Sequence, residues 1–128
     1  MPEALSKILH VDDEPDIREV AKLALEAVGG FTVEACSSGA EALEKAPGFG
    51  PQLILLDVMM PEMDGPSTFA ALRELPGLEN TPVIFMTAKA MPEEIAHFKK
   101  LGAIDVLAKP FDPMGLADQV RACWESNG

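Results

Sequence analysis

The chain is short of basic residues, has little cysteine, and contains no long apolar run. Lys and Arg total 10 against 21 Asp and Glu, a formal net charge of −11 at pH 7. A nucleic-acid binder needs a basic stripe to displace counterions from phosphates, so this composition argues against direct nucleic-acid binding. No apolar stretch approaches the ~18 residues that a membrane-spanning helix needs, so no membrane insertion is expected. Glu3, Asp12, Asp13 and Glu14 stand near the N-terminus with no long apolar run before them, which does not fit a secretory signal peptide. The two cysteines, Cys36 and Cys123, lie far apart. Without a signal peptide they read as reduced thiols, and the cytoplasm is the expected address.

What is present describes one folded domain. Of 128 residues, 48% are hydrophobic, too many for a self-repelling coil and enough for a core without staples. The length predicts a single domain over residues 1–128, with its core at about 7–124 and no output domain within these residues, which leaves open a fragment of something longer. The acid surplus is uneven. Residues 1–45 hold 4 basic and 10 acidic side chains, whereas residues 89–128 hold 5 and 6.

Short apolar runs alternate with helical patterns five times. Lys7–Val11 reads as a strand. Ile17, Val20, Ala21, Ala24 and Val28 recur at helical spacing, with Gly29-Gly30 as a stop. Phe31–Ala35 alternates as an edge strand does. Ser38 with Glu41 resembles a capping box for a helix to about Ala46, and Pro47–Pro51 reads as a loop. Leu53–Leu56 and Val83–Met86 read as strands buried on both faces. Helices are expected at about Ser67–Leu75 and at Pro92–Leu101, the latter with Ile95, Phe98 and Leu101 on one side. Ile104–Ala108 is the fifth strand. Asp112 would cap a last helix with Leu116, Val120 and Cys123 on one face, flanked by Trp124. Five strand–helix repeats predict an α/β doubly wound domain, a five-stranded parallel sheet flanked by five helices.

In such sheets ligands bind beyond the carboxyl ends of the strands. Asp12 and Asp13 follow the first strand, Asp57 the third, Thr87 and Ala88 the fourth, and Lys109 and Pro110 the fifth. Three carboxylates, a hydroxyl and an amine therefore share one rim. Carboxylates ~4 Å apart repel by about 4 kcal/mol at an effective dielectric near 20, and Lys109 alone does not offset this. A hard divalent cation does, and magnesium suits a site of few carboxylates, waters and phosphate oxygens. A carboxylate beside such a cation can attack phosphorus and become an aspartyl phosphate. Lys109 would add neutralising charge, Thr87 a hydroxyl for a phosphoryl oxygen, and the small Ala88 would leave room for entry.

These residues carry a resemblance. The Asp12-Asp13 pair, Asp57 within Asp57-Val58-Met59-Met60-Pro61-Glu62-Met63-Asp64-Gly65, Thr87-Ala88, and Lys109-Pro110-Phe111 together resemble a response-regulator receiver domain of two-component signalling, of the stand-alone chemotaxis type. The resemblance covers roughly residues 7–124 and implies a flavodoxin-like strand order, 2-1-3-4-5. It implies that Asp57 is the phosphoacceptor. Asp12, Asp13, Asp57 and the backbone carbonyl of Met59 would hold Mg2+, Lys109 would pair with the phosphoryl group, and Thr87 would be the switch hydroxyl. It further implies a cis Lys109–Pro110 bond, a histidine kinase or phosphotransfer protein as donor, and a downstream protein target that the sequence does not name. The chain would catalyse only its own phosphorylation and dephosphorylation. Val106 departs from the pattern, since many family members carry an aromatic residue there. Met59 and Lys89 occupy positions that influence phosphoryl lifetime in the family.

Single residues also have plain readings. Asp12-Asp13-Glu14 could simply start a helix. It is not a calcium loop, because Ile17 and Leu23 stand where glycine and glutamate are needed. His10 and His97 lack partners at metal spacing and read as structural or exposed. Met59, Met60 and Met63 read as loop packing. A haloacid dehalogenase-type hydrolase needs a second Asp where Met59 stands. A flavin mononucleotide carrier needs a glycine- and hydroxyl-rich loop where Asp12-Asp13-Glu14 stands. The alternative to a phosphorylation switch is a receiver-like scaffold that acts without phosphorylation.

Overall fold

The computed structural model describes residues 4–127. Its elements are β1 (Lys7–Val11), α1 (Pro15–Leu23), β2 (Thr32–Cys36), α2 (Gly39–Phe49), β3 (Leu53–Asp57), α3 (Gly65–Arg73), β4 (Val83–Thr87), α4 (Pro92–Leu101), β5 (Asp105–Ala108) and α5 (Leu116–Asn127). One wide π-helical turn, Ala24–Val28, prolongs α1. The strands form one parallel sheet in the order β2-β1-β3-β4-β5.

Side-chain alternation divides the core in two. Leu9, Val11, Ile54, Leu56, Val83, Phe85 and Val106 meet Ala42, Ala46, Phe69, Leu72 and Phe98 beneath α2, α3 and α4. Ile8, Leu53, Leu55, Ile84, Met86 and Leu107 meet Ala21, Leu25, Leu116, Ala117, Val120 and Trp124 beneath α1 and α5. Helices on both faces explain why β3 and β4 are buried at every residue. Among the described residues no helix is long and apolar enough to cross a membrane. Cys36 and Cys123 are both free, and burial pushes each thiol up to about 12.

The structure moves several expected boundaries. The stripe of α1 is Ala21, Ala24 and Leu25, while Val20 and Val28 are exposed. Small Ala21 and Ala24 let the helix approach the sheet, which leaves the bulkier flanking residues outside. The helix α2 runs on through Pro47 to Phe49, and Gly50 closes it at φ 67 with its N–H on the Ala46 carbonyl. Phe49 packs against the core, and that contact outweighs the bond Pro47 cannot make. Ser38 Oγ accepts from the Glu41 N–H, as a capping box requires, but Glu41 returns its bond to the Ser37 N–H and hydroxyl. The helix α3 starts at Gly65 because Pro66 fits a first turn, and Asp64 caps it by accepting from the Ser67 N–H at 2.9 Å. Leu101 is 44% exposed and does not share the buried side of α4 with Phe98. Asp112 caps a short turn at the Met114 N–H, and α5 begins only at Leu116.

Two details fix the loops at the carboxyl edge. A Cβ on Gly65 would stand 2.5 Å from the Asp57 carbonyl oxygen, so only glycine lets α3 start this close to the end of β3. At the other side, Glu26 Oε2 accepts from the Val33 N–H at 3.2 Å and covers a donor on the outer edge of β2.

Candidate functional site

Asp12 follows β1 directly and prolongs its ladder, its N–H bonding the Cys36 carbonyl at 3.0 Å. Asp57 and Thr87 are the last residues of β3 and β4. Lys109 follows β5, and its N–H bonds the Thr87 carbonyl at 2.8 Å. The rim thus holds every residue the sequence singled out there, two of them one position inside the strands. The Lys109–Pro110 bond is cis, as the resemblance implies.

Asp12, Asp57 and Lys109 form one knot. Lys109 Nζ lies 3.1 Å from Asp12 Oδ2, 3.2 Å from Asp57 Oδ1 and 3.4 Å from Glu14 Oε1. An ammonium has three N–H donors, and three carboxylates take them. Asp12 is fully buried and also accepts from the Glu14 N–H at 2.9 Å. Asp57 is 2% exposed, and its Oδ2 is buried with no hydrogen-bond partner. Burial, then the neighbouring Asp12 charge, pushes the Asp57 carboxyl up to about 6, although Lys109 pulls the other way. Burial alone would lower the Lys109 ammonium, yet the Asp12 and Asp57 carboxylates raise it above its usual value.

Asp12, Asp13 and Asp57 each place one carboxylate oxygen within 4.8 Å of the others. Three acids against one ammonium leave negative charge uncompensated, and Asp57 Oδ2 is an orphaned acceptor. Oxygen donors in excess of protein cations fit a hard dication such as Mg2+. Met59 lies two residues past Asp57 and is 76% exposed, and its thioether is too soft a donor for such an ion.

Thr87 shares the rim but not the knot. Alternation puts Thr87 on the face of Phe85 and Val106, whereas Asp57 follows Leu53 and Leu55 on the opposite face. Its hydroxyl oxygen accepts from the Lys89 N–H at 3.1 Å. Thr87, Ala88, Lys89, Val58, Met59 and Glu94 line a surface cleft of about 290 Å³. Val106, the expected departure, is buried beside Phe85.

Three features escaped the sequence reading. Glu14 joins Lys109, and Arg18 donates to the Asp12 carbonyl at 2.7 Å. No local sequence pattern signals either contact. His10 is structural, as expected, but it is fully buried with neither ring nitrogen bonded. Burial, aided by Lys109 and Arg18, drops it to about 4, so the ring is neutral. His97 is exposed.

A 2-1-3-4-5 parallel sheet with acids and a lysine at its carboxyl edge defines the CheY-like class of flavodoxin folds. Residues 8–121 match the family described as the response regulator receiver domain, and the chain belongs to that family. It is 37% identical over 121 residues to response regulator Rre1 of Synechocystis, covering 94% of this chain and 52% of that protein. It is 40% identical over 110 residues to regulatory protein AtoC of Escherichia coli, covering 85% of this chain and 23% of that protein. The chain therefore spans about half or less of these relatives. The solved structure of chemotaxis protein CheY4 of Vibrio cholerae superposes with a TM-score of 0.85 at 34% identity, covering 94% of this chain and 99% of that one. Receiver domains of this kind are two-component signalling modules that accept phosphoryl groups from histidine kinases.

Proposed function

We propose that Asp57 accepts a phosphoryl group from a histidine kinase or phosphotransfer protein in a Mg2+-dependent reaction, and that the resulting aspartyl phosphate changes which protein the domain binds. The observation that carries this reading is the knot. One ammonium sits between two buried carboxylates, and the acceptor keeps an unpartnered oxygen. Residues 1–128 would act as a single receiver domain with its core at about 7–124, in the cytoplasm, where both thiols stay reduced.

Asp12, Asp13, Asp57 and the Met59 backbone carbonyl would hold Mg2+, which when bound offsets the charge of the carboxylates and of the transferring phosphoryl group. The chain's own residues do the rest. At pH 7 a carboxyl titrating at about 6 is mostly ionised, so Asp57 is ready to attack. A new P–O bond forms as the P–N bond of the donor phosphohistidine breaks, and the imidazole leaves with the electron pair. Lys109, kept charged by its neighbours, holds a phosphoryl oxygen. The Thr87 hydroxyl leaves the Lys89 N–H, donates to another phosphoryl oxygen and draws the loop of Ala88 and Lys89 inward. A charge-assisted hydrogen bond of about 1.5–3 kcal/mol is enough, because a tenfold population shift needs ~1.4 kcal/mol. With Val106 in place of an aromatic ring, the signal passes through this loop rather than through a swinging side chain.

Beryllofluoride with magnesium, or acetyl phosphate, is expected to shift amide resonances at Thr87–Lys89 and along the end of β5. Asp57→Asn abolishes the shifts. A variant that responds like the parent overturns the assignment of Asp57.

A further inference from the structure

Lys109 is already saturated. Its three N–H donors are spent on Asp12, Asp57 and Glu14, so a phosphoryl oxygen can reach the ammonium only by displacing one of them. The three are unequal. The side chains of Asp12 and Asp57 are 0% and 3% exposed, at 3.1 and 3.2 Å. Glu14 is 59% exposed and the most distant, at 3.4 Å. Asp12 is also tied through its second oxygen to the Glu14 N–H. Asp57 is the acceptor itself. Glu14 is the partner that yields.

We infer that Glu14 is a positioning residue whose carboxylate occupies, in the unphosphorylated domain, the donor position on Lys109 that a phosphoryl oxygen takes after transfer. Glu14 thereby holds Lys109 at the mouth of the site and competes against the modified state. The inference rests on the reading of Asp57 as phosphoacceptor and deepens it. Backbone geometry leaves Glu14 free for this role. It occupies the N-cap position just before α1, yet its side chain makes no capping hydrogen bond, so changing it spares the helix start. The contact is an exposed ion pair, so its effect is small and salt-sensitive.

The test is an equilibrium titration of beryllofluoride in saturating magnesium, followed by the amide resonances of Thr87 and Lys89. Glu14→Ala is expected to bind about two- to fivefold more tightly than the parent, with Glu14→Gln, whose amide oxygen still accepts, in between. The gain shrinks as NaCl is raised, a response that a packing role does not produce. Titration of each variant with magnesium alone separates the other role for an acid at this place. If Glu14→Ala weakens magnesium and beryllofluoride binding together, Glu14 supports the cation and the inference is overturned. Unchanged or weaker beryllofluoride affinity with unchanged magnesium affinity overturns it too. If the parent binds no beryllofluoride, or Asp57→Asn still binds it, the failure lies with the phosphoacceptor reading instead.

Discussion

Asp57 is expensive to keep charged in this fold. Its carboxyl titrates at about 6 because it is buried beside Asp12. Between pH ~4 and about 6 the folded chain therefore holds a proton that the unfolded chain has released, and stability falls as pH rises through that window. In the presence of a chelator, Asp57→Asn is expected to be more stable than the parent at pH 7 by up to about 3 kcal/mol, and so to unfold at higher urea. The advantage disappears below pH ~4, where both side chains are neutral. Urea midpoints at pH 3.5–7.5 check this, and a less stable variant at pH 7 shows that the Lys109 contact outweighs the burial. His10 runs in the opposite sense. Lowered to about 4, it contributes stability above its unfolded value near 6.5, and that stability is lost as pH falls through 6.5 toward 4.

At the scale of elements, the site depends on how closely α3 and β3 meet. Gly65→Ala places a methyl against the Asp57 carbonyl and Val58 Cα. A cost of about 1–3 kcal/mol is expected, together with a displaced Asp57–Met59 loop. Thermal unfolding and the amide shifts of residues 57–65 measure both effects, and an unchanged midpoint shows that the loop yields freely. Elements were legible in the sequence where period and breakers agree. β1 and α4 lie where the apolar pattern, Pro92 and Gly102 put them. They were less legible where a proline allows two readings, as at Pro47 inside α2 and Pro66 in the first turn of α3. The rim was legible because every chemical residue falls at a strand end, and chain order supplies the strand ends. Which face each side chain takes was not. Thr87 turns toward Val106 because it closes β4 in phase with Phe85, and no local pattern foretells that phase. Nor does any local pattern announce Glu14 on Lys109, a contact between residues 95 positions apart.

At the scale of the whole molecule, a net charge of −11 repels itself, and a cluster of three carboxylates concentrates part of that repulsion at one end. Salt near 0.15 M is expected to raise the thermal midpoint modestly. Magnesium at matched ionic strength is expected to raise it further, through a stability increment of about 2.7 kcal/mol when the free ion is about 100 times Kd. The single tryptophan, Trp124, projects from α5 into the core layer shared with α1, so its emission reports unfolding of that layer. Asp13→Asn is expected to lose most of the magnesium increment and keep the sodium one. Equal effects of the two salts on the parent show that the acids hold no specific ion.

The hook of Glu26 on the Val33 N–H has a consequence for life in a crowded solution. A strand from another copy that tries to dock along β2 finds a backbone donor already taken and a carboxylate in its path. Ribbon-like stacking from that side is discouraged from the first rung, which leaves β5 as the edge still open to a pairing strand.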